Sequence, residues 1–443
     1  MAALGRALAR AGQLTLVGVL VGLACWPLNR VDLLQERLLN LLPGFSGGLW
    51  QAPGLLLAAA PVLVMPLLLV LLQRRGLRDG AGSGIPQTIL SLEQPERAGS
   101  LLSPAVTAAR LGLWTLASLA LFPLGREGPV VQLGAAVVHA LRRRFPRLLA
   151  ELSNSQLLAV GAGAGLAGGF NAPLMGLVFV IEELTGEFQV AVLWPGALVC
   201  LAAALISNLG GIGLFPLGVA SERVAEGLQL LWAVPLGLGG GLLGGLFARL
   251  LLMATAWLKP RLTRQPLGWG LVLGGGLGLL LLVSGGWSGG DGGALMRHML
   301  AGSPPQPVPG SPLAGLGWLL VVAVRLVAPL LGLAAGVPGG LIEPALSLGA
   351  VFGSGGIELL GGSAALGLAL GMAASLAGAT QLPLTTVVFA MRLVEDPQWL
   401  WGLLLSAVLG ATVGRCLQPL PIYHALAESR GGDGPGIGES HPA

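Results

Sequence analysis

Three short segments of this 443-residue chain combine glycine, proline and polar residues in a way that suits anion binding. They lie at 82–86 (GSGIP), 125–129 (GREGP) and 340–344 (GLIEP). Proline is favoured in the first turn of a helix, so each segment predicts a helix that begins there. A first turn leaves N–H groups unpaired and carries about half a positive charge. Several such starts aimed at one point would hold an anion without a full positive charge.

Polar side chains in these segments would take part in such a site. Ser83 supplies a hydroxyl donor. Glu127 stands in an apolar region, where a carboxylate is costly and usually functional, and its alternative role is an ion pair with an arginine. Glu343 lies at the third helix start, where an ionised carboxylate would weaken anion binding. We therefore expect Glu343 to pair with an arginine, to be neutral or to turn away, and the alternative is a second titrating gate.

Other polar residues interrupt or end apolar runs. Glu182 and Glu183 follow the apolar run before residue 182, where a solvated helix end and a functional role are both open. Tyr423 is the only tyrosine, and an interfacial anchor is its alternative role. Three arginines in or beside apolar runs are candidates for pairing with carboxylates: Arg110, Arg325 and Arg392.

The composition places these residues in a membrane protein. Apolar residues make up 54% of the chain and charged residues 10%, and the mean hydropathy is +0.82. A soluble domain carries roughly 25% charged residues, so the soluble class is excluded. The apolar content is enough for about 10 to 12 spans of about 20 residues. The net charge of +4 comes with no basic stripe, and the 3 cysteines and 4 histidines show no metal-binding spacing, so neither nucleic acid nor a metal is expected.

Many apolar segments are too short to cross a bilayer, and they repeat along the chain. Residues 166–179 match 376–389 at 7 of 14 positions, and residues 125–135 match 340–350 at 5 of 11. The offsets, 210 and 215, are similar, which predicts two related halves. Repeats with broken helices are typical of transporters that bind their substrate between the halves.

The three segments, together with residues 165–183 (GLAGGFNAPLMGLVFVIEE) and 421–423 (PIY), resemble the CLC family of chloride channels and proton/chloride antiporters. The resemblance runs from about residue 14 to about 428 and is to the prokaryotic type, without regulatory CBS domains. It implies an all-α polytopic membrane protein with the CLC-type fold: two inverted-topology repeats with many tilted and half-spanning helices. We expect one transmembrane domain over 1–430, with halves at approximately 12–208 and 229–417, and a polar, disordered tail at 431–443.

The resemblance also implies the function. We expect a proton-coupled chloride antiporter, and the alternative is a passive voltage- or pH-gated chloride channel of the same fold. Glu183 aligns with the internal proton-transfer glutamate of the antiporters, which channels usually lack. From another class, an intramembrane serine protease would use Ser83 with His139, the only histidine in an apolar helix.

By the same resemblance, Glu127 is the external gate and proton carrier, and Glu183 is the internal proton-transfer residue. The hydroxyls of Ser83 and Tyr423 and the amides of Leu341 and Ile342 would hold a central chloride. The expected anion-binding residues are Ser83, Gly84, Ile85, Arg126, Glu127, Gly128, Leu341, Ile342, Glu343 and Tyr423.

The chain departs from the family pattern at three positions. Ile342 stands where the family has Phe, Glu343 where a small or apolar residue is common, and Gln87 where Glu is frequent.

We expect a homodimer in the lipid bilayer that binds and transports chloride and protons, without cofactor, metal or enzymatic activity. We expect a multi-pass protein of a prokaryotic plasma (inner) membrane with both termini cytoplasmic.

Overall fold

A computed structural model describes residues 2–74, 76–209, 225–302, 305, 317–394 and 397–431. Within these ranges the chain forms nineteen α-helices and no named β-strand, which confirms the all-α prediction. The tail predicted at 431–443 lies outside the described residues, apart from residue 431.

The helices of the first half of the chain are α1 (Ala2–Leu39), α2 (Pro43–Ser46), α3 (Ala52–Leu71), α4 (Ile85–Glu93), α5 (Ala98–Leu101), α6 (Pro104–Leu119), α7 (Glu127–Arg144), α8 (Asn154–Phe170), α9 (Pro173–Phe179) and α10 (Val190–Ser207). Those of the second half are α11 (Glu226–Arg264), α12 (Pro266–Ser284), α13 (Gly293–Leu300), α14 (Gly317–Leu333), α15 (Ile342–Glu358), α16 (Ala364–Thr380), α17 (Pro383–Val394), α18 (Leu400–Leu417) and α19 (Ile422–Gly431). Short 3₁₀ turns occupy Arg78–Gly80, Pro95–Arg97 and Pro397–Trp399, and a π-helical segment continues α9 over Val180–Thr185.

Helices of very different length make up the membrane domain. Six helical stretches are long and apolar enough to cross a bilayer: Leu4–Leu39, Ala52–Leu71, Val190–Ser207, Glu226–Arg264, Pro266–Ser284 and Leu400–Arg430. Three shorter apolar helices, α14, α16 and α17, have 12 to 17 residues. At 1.5 Å per residue, a helix of 12 residues covers about 18 Å, well short of the roughly 30 Å hydrocarbon core. Such helices begin or end at membrane depth, as the Gly-Pro segments predict.

The second half repeats the order and packing of the first. The helices α8, α9 and α10 start 210 residues before α16, α17 and α18, respectively. The helices α8 and α16 both end at a residue in the left-handed conformation, Asn171 (φ 48°) and Gln381 (φ 62°). The helix α7 packs on α8 as α15 packs on α16, and α1 packs on α10 as α11 packs on α18. The repeat predicted from the sequence is therefore visible in the helices themselves.

Glycine lets the equivalent helices of the two halves approach closely. A side chain at Gly134 in α7 would overlap the backbone of α8, and one at Gly349 in α15 would overlap the backbone of α16. Small residues are enriched at such contacts in membrane proteins, because packing rather than the hydrophobic effect holds the helices together there. The glycine content of the chain thus serves helix contacts as well as helix starts.

Backbone hydrogen bonds join the two halves at the centre. The residues Gly125 and Gly340 form an isolated antiparallel bridge, in which Gly125 N–H donates to Gly340 O at 3.0 Å and Gly340 N–H donates to Gly125 O at 2.7 Å. A further bond runs from Gly82 N–H to Gly336 O at 2.7 Å. The three Gly-Pro segments, far apart in sequence, therefore meet at one place.

Candidate anion and proton site

The starts of α4, α7 and α15 surround the candidate site. The helix α4 begins after Gly84, whose φ of 114° is one that residues with a side chain rarely adopt. The Gln87 side chain fixes this turn, because its oxygen accepts from Gly84 N–H at 3.0 Å and its amide donates to Ala81 O at 2.8 Å. A glutamine serves here because it both accepts and donates, whereas an ionised glutamate only accepts.

The Glu127 carboxylate lies between the starts of α7 and α15. The residue is fully buried, and its Oε1 accepts a hydrogen bond from Ile342 N–H of the other half. The oxygens lie against Gly340 and Gly125, where any side chain would overlap them. Its Oε2 has no hydrogen-bond partner among the residues that the structure describes. The carboxylate therefore occupies a helix N-terminus at which a free anion would bind.

The hydroxyls of Ser83 and Tyr423 are buried and can donate a hydrogen bond to a ligand. Ser83 packs against Gly128, directly after Glu127, and Tyr423 is the second residue of α19, which packs on α4. Tyr423 is within electrostatic reach of both Glu127 and Glu183. Neither hydroxyl has a hydrogen-bond partner within the described part of the chain. A buried donor usually has a partner, so two such hydroxyls indicate a place for a polar ligand.

Glu343 faces Arg126 and is fully buried. Its Oε2 accepts from the Arg126 main-chain N–H at 2.8 Å, and its Oε1 lies 3.9 Å from Arg126 Nε. The Arg126 guanidinium also pairs with Asp32 of α1 and lies 4.7 Å from the centre of the Phe170 ring. Of the expected arrangements for Glu343, the structure has the pair with an arginine. The Arg126 amide, predicted to bind the anion, donates to Glu343 here.

Glu182 and Glu183 both lie in the π-helical segment, and they point in different directions. Glu182 oxygens accept from Leu384 N–H at 3.0 Å and Thr385 N–H at 2.6 Å, so Glu182 caps the start of α17. Glu183 is buried, and its Oε1 has no hydrogen-bond partner among the described residues. One carboxylate therefore caps a helix, whereas the other keeps an oxygen without a hydrogen-bond partner among the described residues.

Arg110 and Arg325 are buried and donate to backbone carbonyls, and neither forms an ion pair with a carboxylate of the described residues, so the predicted pairing is wrong for these two arginines. Arg110 donates to the carbonyls of Asp79, Gly80 and Ala81 and to the Gln132 side chain, and thereby supports the turn before α4. Arg325 donates to Gly289 O and Gly290 O at 2.9 Å. Arg392 donates to Asn171 O at 3.3 Å. A carbonyl suits these positions because it accepts a bond without adding a second buried charge.

Two residues near the site were missed by the sequence reasoning. Asp32 pairs with Arg126, and the available signal was a carboxylate directly after the apolar run of α1. His424 lies 3.8 Å from Glu183, and the signal was its position directly after Tyr423. The described residues contain no group of three or more acidic, His or Cys side chains placed to hold a metal ion.

Comparison with known families gives a match over most of the chain. A sequence model described as "Voltage gated chloride channel" matches residues 62–415. The chain is 30% identical to the H(+)/Cl(-) exchange transporter ClcA of Yersinia pseudotuberculosis serotype IB (strain PB1/+), over 93% of this chain and 85% of that protein. It is 29% identical to the ClcA of Vibrio parahaemolyticus serotype O3:K6 (strain RIMD 2210633), over 90% and 83%.

Solved structures with the same architecture confirm the predicted fold. A slow cyanobacterial Cl-/H+ antiporter aligns with a TM-score of 0.74 at 23% identity, over 96% of this chain and 98% of that one. A CLC-type fluoride/proton antiporter aligns with a TM-score of 0.73 at 24% identity, over 94% and 97%. At these identities the similarity establishes the fold, with its two inverted repeats and half-spanning helices.

Proposed function

We propose that this chain, because it belongs to the voltage-gated chloride channel family, is a proton-coupled chloride antiporter with Glu127 as its gate. The observation that carries the proposal is the hydrogen bond from Ile342 N–H to the Glu127 carboxylate. A carboxylate bound at a helix N-terminus competes with a free anion for the same donor. Loss of its charge on protonation would release that donor to chloride.

The exchange follows from that competition. Ionised Glu127 occupies the start of α15 and excludes chloride. A protonated Glu127 is attracted less to the helix N-terminus, so chloride takes its place beside the Ile342 amide and the hydroxyls of Ser83 and Tyr423. Because the carboxyl group must take up a proton to leave and lose it to return, one cycle moves an anion and a proton in opposite directions.

The proton would then travel between Glu127 and Glu183. Tyr423 lies within electrostatic reach of both carboxyl groups, so we place the chloride beside its hydroxyl on this proton route. Glu183 is buried, so bulk water has little direct access to its carboxyl group. We assign the internal proton-transfer role to Glu183 and the capping role to Glu182.

The wider proposals concern the molecule as a whole. We propose one transmembrane domain over 1–430, with halves at 12–208 and 229–417, in a homodimer. The location proposed is a prokaryotic plasma (inner) membrane, with both termini cytoplasmic. The transported ions are chloride and protons, with no cofactor and no enzymatic reaction. The protease alternative finds no support, because the Ser83 hydroxyl bonds no general base among the described residues.

Purified protein in proteoliposomes tests the antiport directly. A chloride gradient should drive protons uphill, against their own gradient, and protonophore should abolish the resulting pH difference. Chloride flux without uphill proton movement would instead indicate the passive channel, and the absence of chloride flux would contradict both.

The pairing of Glu343 with Arg126 leads to a prediction about stability rather than transport. In Glu343→Gln the side-chain amide oxygen can still accept a hydrogen bond from Arg126 N–H. The substitution removes, however, one of the two carboxylates, those of Asp32 and Glu343, that balance the charge of the buried Arg126 guanidinium. We expect a loss of about 1–3 kcal/mol in stability, measured as a lower midpoint of thermal unfolding in detergent.

The chloride affinity of Glu343→Gln distinguishes a structural role of Glu343 from that of a second titrating gate. Isothermal titration at two pH values should give equal affinities for Glu343→Gln and the parent. The matched control is Glu358→Gln, which changes an exposed carboxylate at the other end of α15 and should alter neither quantity. Tighter chloride binding by Glu343→Gln above neutral pH would contradict the structural role.

A further inference from the structure

Three titratable side chains lie in a row from the buried Glu183 to the protein surface. His424 has its Nε2 3.8 Å from Glu183 Oε1 and its Nδ1 4.0 Å from Glu93 Oε1, at the end of α4. The exposed fraction of the side chain rises from 2% at Glu183 through 36% at His424 to 54% at Glu93. The imidazole therefore connects a carboxyl group that water does not reach with one that it does.

We propose that His424 carries protons between Glu183 and the solvent, with Glu93 as its outer partner. The proposal rests on the antiport proposed above, since it supplies the step between Glu183 and water. An imidazole ring has two nitrogens, so a proton can enter on one side and leave on the other.

The transfer is balanced in protons and moves no electrons. Neutral His424 with its hydrogen on Nε2 accepts a proton at Nδ1 from Glu93 or water and becomes an imidazolium. The Nε2 proton then passes to Glu183 Oε1, which leaves neutral His424 with its hydrogen on Nδ1. Water that reaches the half-exposed ring then removes the Nδ1 hydrogen and supplies one to Nε2, which restores the first state with no net change in protons on the ring. Gaps of 3.8 and 4.0 Å exceed a hydrogen bond, so each transfer needs a small side-chain movement, for which a half-exposed ring has room.

The surroundings of His424 favour this route over one through the neighbouring glutamate. Both oxygens of Glu182 are engaged by the N–H groups at the start of α17, so Glu182 would have to break a helix cap to carry a proton. Among the described residues, the charged groups that face His424 within 4.0 Å are Glu93 from α4 and Glu183 from the π-helical segment. On its own helix, Glu428 lies one turn further on.

Separate measurement of chloride and proton turnover in proteoliposomes tests the proposal. In His424→Gln, which keeps a polar side chain of similar size, we expect proton turnover to fall about tenfold or more, with chloride turnover within about twofold of the parent. His424→Glu, which restores a titratable group, should recover much of the proton turnover, as should added imidazole with His424→Gln. The matched control is His298→Gln, at a histidine 5.2 Å from the Trp287 ring, and it should leave both rates unchanged.

Each other outcome overturns the assignment. Unchanged proton turnover in His424→Gln would show that protons reach Glu183 by another path. Equal losses of chloride and proton turnover would show that His424 merely supports the structure, as would failure of both His424→Glu and imidazole to restore proton flux. Failure of the parent protein to move protons uphill would instead contradict the antiport itself, so the two proposals are tested separately.

Discussion

Glu127→Gln is expected to abolish proton transport while chloride still moves. The amide has nearly the shape of the protonated carboxylic acid, but it can neither ionise nor carry a proton. It also lacks the charge that binds the start of α15 through Ile342 N–H, so chloride should no longer compete with it. We expect proton turnover to fall by at least about 100-fold.

The pH dependence of chloride flux in Glu127→Gln is a second measurement that tests Glu127 as the gate. In the parent, lower pH favours the protonated gate, so chloride flux should rise as the pH falls. In Glu127→Gln the gate is neutral at every pH, so the flux should be high and nearly constant. The matched control is Glu96→Gln, at an exposed site, which should keep the parent's behaviour. Proton-coupled exchange by Glu127→Gln would contradict the assignment.

Glu183→Gln should also stop proton movement, but for a different reason. Its carboxyl group is buried and has no hydrogen-bond partner for Oε1 within the described residues, so the amide fits with little change in structure. We expect at least about a 100-fold loss of proton turnover, with chloride turnover within about twofold of the parent and still dependent on pH through Glu127.

Parallel flux measurements on Glu183→Gln and on Glu187→Gln, an exposed neighbour, separate proton transfer from general damage. The control should couple normally. If Glu183→Gln still moves protons at the parent's ratio, the internal carrier is a different group, and Glu182 is the next candidate even though it caps α17.

The helix starts could be predicted from the sequence because their causes are local. Proline in the first turn and glycine before it impose backbone angles within four or five residues, and α4, α7 and α15 begin where the pattern indicates. The repeat was also readable, because equivalent helices keep the same small residues at their contacts. The helix starts and the two related halves therefore followed from short-range constraints and from recurrence, whereas the CLC-type fold was implied by the resemblance to the family.

The pairing of buried charges could not be predicted, because it depends on contacts between distant residues. Arg126 bonds to Asp32, 94 residues away, and to Glu343, 217 residues away. Glu182 and Glu183 are adjacent and chemically identical, yet only the three-dimensional structure shows that one caps α17 and the other faces His424. A helix with π-helical turns also changes which neighbours face which side.

The bridge between Gly125 and Gly340 can form only late in synthesis of the chain, because it joins the two halves. The Glu127 carboxylate takes its hydrogen bond from an amide 215 residues later in the chain. At a synthesis rate of about 5–20 residues per second, that amide emerges roughly 10–40 seconds after the glutamate. During this interval the Glu127 carboxyl group of the first half lacks its hydrogen bond from Ile342 N–H. The site that holds the Glu127 carboxylate is therefore complete only after the start of α15 has been synthesised.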